Sequence, residues 1–162
     1  MSNFANRCIK RLSDSGYCPE QKMEERKIIS VSENGKTYTV NVKNDAKSIV
    51  YQIDNYIITT GERCDKFIGV IKENKGITIL VELKGKDVAH AIAQLETTIN
   101  NVIFRPFPDP DDKARARIVT SSCGPSSASK IIYEKAKIRF KQKYNLNLAI
   151  LHGKQKDNDI NF

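Results

Sequence analysis

Residues 77–85, Ile-Thr-Ile-Leu-Val-Glu-Leu-Lys-Gly, constrain the fold of this chain more than any other stretch. Read as a strand, they place Ile77, Ile79, Val81 and Leu83 on one face and Thr78, Leu80, Glu82 and Lys84 on the other. The first face is uniformly apolar and has to be buried. The second begins apolar at Leu80 and then carries an acid and a base, ending at Gly85, where other backbone or a ligand can come close. An ordinary half-exposed strand would be polar along that whole face. Upstream, residues 63–71 read as a second strand with Asp65 near its start, and the Lys-Glu-Asn-Lys-Gly stretch 72–76 is a hairpin signal. Antiparallel pairing across that turn brings Asp65 beside Glu82 and Lys84.

Two carboxylates and an ammonium converging in this way suit metal-assisted phosphodiester hydrolysis. Hard oxygen ligands favour Mg²⁺, and the ion can acidify a water and clamp phosphate oxygens. The order Asp65, then Glu82-Leu83-Lys84 after sixteen intervening residues, then a helix, resembles the PD-(D/E)XK nuclease superfamily. Many restriction endonucleases, Holliday-junction resolvases and recombination exonucleases share that fold. The resemblance covers about residues 49–152 and implies a nuclease acting on nucleic acid, DNA rather than RNA. It implies that Asp65 and Glu82 ligate Mg²⁺, with Mn²⁺ as an alternative, that Lys84 positions the attacking water, and that the protein works as a homodimer. Cys64 stands where the family pattern has a proline. The residues also fit a simpler arrangement, a Glu82–Lys84 salt bridge at a sheet edge with Asp65 capping a turn.

Asp87 is a good N-cap for the next segment, where Val88, Ala91, Ile92, Leu95 and Ile99 follow helical spacing. Gln94 and His90 share a flank of this helix. Exonuclease-like branches of the family carry a glutamine here that supports the metal-bound water or the lysine, and Gln94 is the matching position. His90 reads as an exposed or partner-contacting histidine. With no second histidine nearby and no cysteine pair, a zinc site has little support.

The chain has 162 residues, enough for one domain with a real core. No run of apolar residues reaches the length of a membrane span, and residues 1–10 lack the apolar run of a secretory signal. A cytoplasmic protein with no membrane association is expected. Cys8, Cys18, Cys64 and Cys123 are scattered without a C-x-x-C pair, which points to reduced thiols. The net charge of +8 suits a polyanionic partner. A helix predicted over residues 126–144 places Lys130, Lys137 and Lys141 near one face, as a phosphate-contacting surface or a plain solvated one, with Ile131, Ile132, Ala136 and Phe140 on its buried side.

These readings give an α/β fold, a single domain with a mixed central β-sheet flanked by helices and an N-terminal β-hairpin extension. Residues 1–48 form the extension, with a hairpin over residues 27–42 around Asn34-Gly35. Residues 49–152 form the nuclease-like core, and residues 153–162 a polar tail expected to fray. Within the core, residues 49–59 read as a strand, the proline-containing stretch 104–113 as a loop, and residues 114–121 and 146–152 as strands flanking the basic helix. The family's first helix is best placed at residues 19–27, with Glu24 or Glu25 as an additional acid. The functional alternative is a non-catalytic nucleic-acid- or protein-binding module on the same scaffold.

Overall fold

The computed structural model describes residues 2–121 and 126–162. The chain runs α1 (Phe4–Asp14), β1 (Gln21–Glu25), β2 (Ile28–Glu33), β3 (Lys36–Asn41), β4 (Lys47–Gln52), β5 (Lys66–Lys72), β6 (Lys75–Leu83), α2 (Val88–Ile99), a 3-10 turn (Val102–Phe104), β7 (Lys113–Thr120), α3 (Ser127–Tyr144) and β8 (Asn147–His152). Six strands form one mixed sheet in the order β1-β4-β5-β6-β7-β8. The pairs from β1 to β6 are antiparallel, whereas β6, β7 and β8 run parallel. Parallel neighbours need a crossover connection, and α2 and α3 supply the two that are required.

Side-chain alternation then builds three layers. Leu80 of β6, Phe67 of β5 and Ala114, Ala116 and Ile118 of β7 face the helices and join one core with Leu12, Leu95 and Phe140. On the opposite face, Ile77, Ile79, Val81 and Leu83 pack with Ile68 and Val70 against Ile29, Val31, Tyr38 and Val40 of the β2–β3 hairpin. The sheet centre is therefore covered on both sides, which explains why β6 reads as an almost continuous apolar run. The hairpin closes at Asn34 and Gly35, both with positive φ, as the Asn-Gly pair favours. Its apolar face is spent on its own sheet and is not free for a partner.

Several expectations are corrected. Residues 21–25 are a strand, and the first helix is α1, which has a narrow buried stripe of Phe4, Ala5, Cys8 and Leu12 in an otherwise polar segment. Gly69 lets α1 lie close to β5, since a Cβ there would sit 2.7 Å from Ile9 Cδ1. The strand expected over residues 49–59 ends at Gln52, because the N–H groups of Ile57 and Ile58 fold back onto the Ile53 carbonyl. On α3 the buried side is Ala136, Phe140 and Tyr144, while Ile131 and Ile132 are exposed: the helix packs along its later turns. Among the described residues Cys8, Cys18 and Cys64 are free thiols, and Cys123 lies outside them. No helix among the described residues is long and apolar enough to cross a membrane.

The tail expected to fray is docked. Ile160 is buried and pairs with Val42, and Asp157 is buried among donors. Its Oδ2 accepts from Tyr38 Oη at 2.6 Å, Arg117 Nε at 2.9 Å and Arg115 Nη1 at 3.2 Å. This carboxylate ties the hairpin, β7 and the tail together. Burial alone would raise its pKa, but the Arg117 charge, the Tyr38 and Arg117 hydrogen bonds and Arg115 outweigh it and hold the group below the usual aspartate range.

Asp157→Ala leaves two guanidinium groups uncompensated, one of them buried, and is expected to cost about 3–5 kcal/mol in urea denaturation at neutral pH. Because the folded-state pKa is lowered, that contribution is complete above the ordinary aspartate value and is lost as pH falls through the lower folded value. The wild type and variant should therefore converge in stability on acidification.

Candidate functional site at the end of the β5–β6 pair

The register of β5 on β6 sets the site. Lys66 lies opposite Val81, and one residue further the Asp65 N–H donates to the Val81 carbonyl at 3.1 Å. Asp65 shares the helix-facing side with Phe67, and Glu82 shares it with Leu80, so the two acids emerge as neighbours at the end of the pair. Asp65 Oδ2 accepts from the Leu83 N–H at 2.7 Å, which fixes the carboxylate against the strand that carries Glu82. Lys84, half-buried, follows on the same side as Glu82, and its N–H donates to the Val119 carbonyl of β7 at 2.9 Å.

Helix α2 holds the approach to Asp65. Asp87 caps the helix by accepting from the His90 N–H. Gln94 Nε2 donates to the Arg63 carbonyl at 3.0 Å, and Thr98 Oγ1 accepts from the Cys64 N–H at 2.8 Å. The second contact uses the backbone N–H of residue 64 to anchor the segment, a bond that a proline at this position could not make. His90 is partly exposed and lies 3.4 Å from Glu62, outside the carboxylate group.

Two further acids reach the site, and neither was expected from the sequence. Glu33, at the tip of the hairpin, and Asp54, in the turn after β4, each bring a carboxylate oxygen toward Asp65, with all three atoms within 4.8 Å of one another. Glu24 and Glu25 instead lie on exposed positions of β1. Glu82 is adjacent to this trio but not part of it. Two cations hold the acids in place: Arg63 Nε meets Asp54 Oδ1 at 2.5 Å, and the buried Lys66 lies 2.9 Å from Glu20 and 3.8 Å from Glu33. The face of β5 that carries Lys66 points at the hairpin, and Lys66 anchors the tip there.

The electrostatics are those of a site rich in charge and poor in water. Glu82 is 2% exposed, and its Oε2 has no hydrogen-bond partner among the described residues. Glu33 Oε2 and Gln94 Oε1 are likewise buried without a hydrogen-bond partner among the described residues, Glu33 Oε2 having only the Lys66 ammonium at 3.8 Å. Burial and the neighbouring Asp65 push the Glu82 carboxyl up to about 8 against the opposing pull of Lys84, with Asp54 and Glu33 adding to the rise. Asp65 is pushed up to about 6 by burial, opposed by the Leu83 hydrogen bond, with Glu33 and Asp54 raising it further. The unpartnered oxygens are all hard donors, the type that suits a divalent cation such as Mg²⁺.

The α3 lysines are not gathered here. Lys141 sits over the start of β7, lining a groove with Lys113 and Arg115, whereas Lys84 meets β7 at Val119. Those ends are separated by roughly 20 Å of strand. Lys130 and Lys137 are exposed on α3.

Raised carboxyl pKa values give a signed expectation for the metal-free protein. The folded state retains protons on Asp65 and Glu82 that the unfolded chain releases near pH 4, so stability should fall as pH rises from about 4 towards 8. Glu82→Gln should flatten this dependence and raise stability at pH 8 by on the order of 2 kcal/mol, read from urea titrations in EDTA; an unchanged slope would count against the ionisation of Glu82 as its source. Comparison of the chain with family models, with curated proteins and with solved structures finds no match to any of them.

Proposed function

We propose that this protein is a metal-dependent nuclease hydrolysing phosphodiester bonds, with DNA as its substrate. The observation that carries the reading is Glu82, a buried carboxylate with an unpartnered oxygen beside Asp65 and close to a half-buried lysine. Burying a carboxylate without a partner costs several kcal/mol. Without an ion the raised pKa of Glu82 relieves this cost by protonation; a bound cation would offset it with the carboxylate ionised, where Lys84 alone leaves Oε2 without a hydrogen bond.

Asp65 and Glu82 would hold Mg²⁺ or Mn²⁺, with Glu33 and Asp54 extending the acidic set on the hairpin side. When bound, the ion supplies positive charge against the phosphate oxygens and lowers the pKa of a coordinated water. Lys84 orients the attacking water and stabilises charge that develops on the phosphate. Gln94 acts as a positioning residue: by gripping the Arg63 carbonyl it keeps Asp65 in register with Glu82. The helix on one side and the hairpin tip on the other exclude bulk water and strengthen each of these interactions.

The test is incubation of purified protein with plasmid, single-stranded and branched DNA in Mg²⁺, Mn²⁺ or EDTA, alongside Asp65→Asn and Lys84→Ala. Cleavage by the wild type is expected only with a divalent ion, and each variant should lose on the order of 100-fold or more in rate while unfolding cooperatively as the wild type does. Cleavage by Asp65→Asn at the wild-type rate would overturn the assignment, and DNA binding without cleavage of any substrate would leave a non-catalytic binding module.

A further inference from the structure

A cleft of about 790 Å³ opens between the hairpin tip and the carboxyl ends of β7 and β8, lined by Lys36, Thr37, Thr39, Thr120, Ser121 and Lys154 among others. Its size falls within the usual range for ligand sites, about 300–1,000 Å³. Its chemistry sets it apart. Among the described residues cations, hydroxyls and glycines line it and no carboxylate does, whereas clefts elsewhere carry Asp109, Asp159, Glu25 or Glu73.

The cleft also adjoins the carboxylate site. The Ser121 N–H donates to the Gly85 carbonyl at 2.9 Å, immediately after Lys84. Lys36 Cε lies 3.5 Å from where a Cβ on Gly85 would be, so the lysine stem passes directly over that residue. Glu33 and Lys36 flank the same two-residue turn, so one hairpin tip presents an acid to the Asp65 cluster and a cation to the cleft. Ser121 Oγ is buried and has no hydrogen-bond partner among the described residues. Thr120 Oγ1, by contrast, is already engaged with His152 Nδ1 at 2.9 Å.

We infer that this cleft binds the phosphate backbone of one nucleic-acid strand next to the scissile bond, with Lys36 and Lys154 neutralising phosphates and Ser121 Oγ donating to a phosphate oxygen. The inference rests on the nuclease reading for the position of the scissile phosphate at Asp65, Glu82 and Lys84. It gives the hairpin a role beyond covering the sheet. It also moves the main phosphate contacts from the α3 lysines to residues beside the carboxylates. Contacts to phosphate position a strand without reading its bases, so the cleft predicts binding with little sequence preference.

The experiment measures binding of labelled single-stranded DNA and RNA oligonucleotides of one sequence in EDTA across a salt series. The wild type is compared with Lys36→Ala/Lys154→Ala, Ser121→Ala and Lys130→Ala/Lys137→Ala/Lys141→Ala. Loss of two phosphate contacts should reduce the slope of log affinity against log salt by about 1.4 and weaken binding about tenfold near 0.1 M salt. Ser121→Ala should weaken binding a few-fold with the slope unchanged, and the α3 triple variant should match the wild type. Cleavage of the same oligonucleotides in Mg²⁺ is read separately. If the Lys36/Lys154 variant keeps the wild-type affinity and slope, or if the loss follows the α3 lysines, the inference falls, and wild-type cleavage in Mg²⁺ would leave the nuclease reading standing. The expected loss of slope without any cleavage would keep the cleft as a binding surface and remove the nuclease. A wild type that binds neither oligonucleotide overturns the inference.

Discussion

The antiparallel register of β5 on β6 is the constraint on which the rest of this molecule depends. With Lys66 opposite Val81, Asp65 falls beside Glu82, the apolar face of β6 turns toward the hairpin, and Lys66 points to the layer that holds Glu33. A slip of one residue would turn each of these side chains to the wrong face. Ile77, Ile79, Val81 and Leu83 would then meet the helices, and the carboxylates would be buried in the hydrocarbon under the hairpin. The register is therefore enforced by the cost of exposing or misplacing apolar surface, and the acids are carried to their positions by that packing.

The site itself opposes the stability of the fold. Four acids converge where water is scarce, and two of them, Asp65 and Glu82, have raised pKa values for that reason. The buried charges that tie the layers together are matched: Asp157 has three side-chain donors around one oxygen, and Lys66 is held by Glu20 and Gln52. The contrast matters because structural ion pairs are expected to satisfy their polar atoms, whereas functional sites retain unsatisfied ones at a cost in stability. Glu82 and Gln94 each keep a buried oxygen with no hydrogen-bond partner among the described residues, which is what the proposed function would require of them.

The mixed sheet, the helix after Lys84, the Asn-Gly hairpin and the parallel β7–β8 pair were all legible because each has a strong local signal: period-two alternation, a capping aspartate, a turn dipeptide or a helical crossover. The proximity of Asp65 to Glu82 followed from a short turn between two adjacent strands. Local signals failed where long-range contacts decided the outcome. The β1 segment, Gln21–Glu25, is short and polar and becomes a strand only because β4 offers an edge. The tail looks soluble, yet Asp157 and Ile160 find partners far away in sequence in Tyr38, Arg117 and Val42. Ile131 and Ile132 look like core residues but are exposed on α3.

What the sequence determined by itself was a strand pair with an apolar side and a charged end, since alternation and turn chemistry act over a few residues and need no knowledge of the rest of the chain. Only the tertiary structure decided that Glu33 and Asp54 join Asp65, that the Cys64 N–H is committed to Thr98, and that Lys36 and Lys154 share a cleft beside Lys84. Those residues come from segments whose own patterns are those of a surface hairpin, a turn and a tail. They meet because the hairpin must cover the second apolar face of the sheet, and in doing so its tip is carried over the end of β6, where the charged side chains emerge.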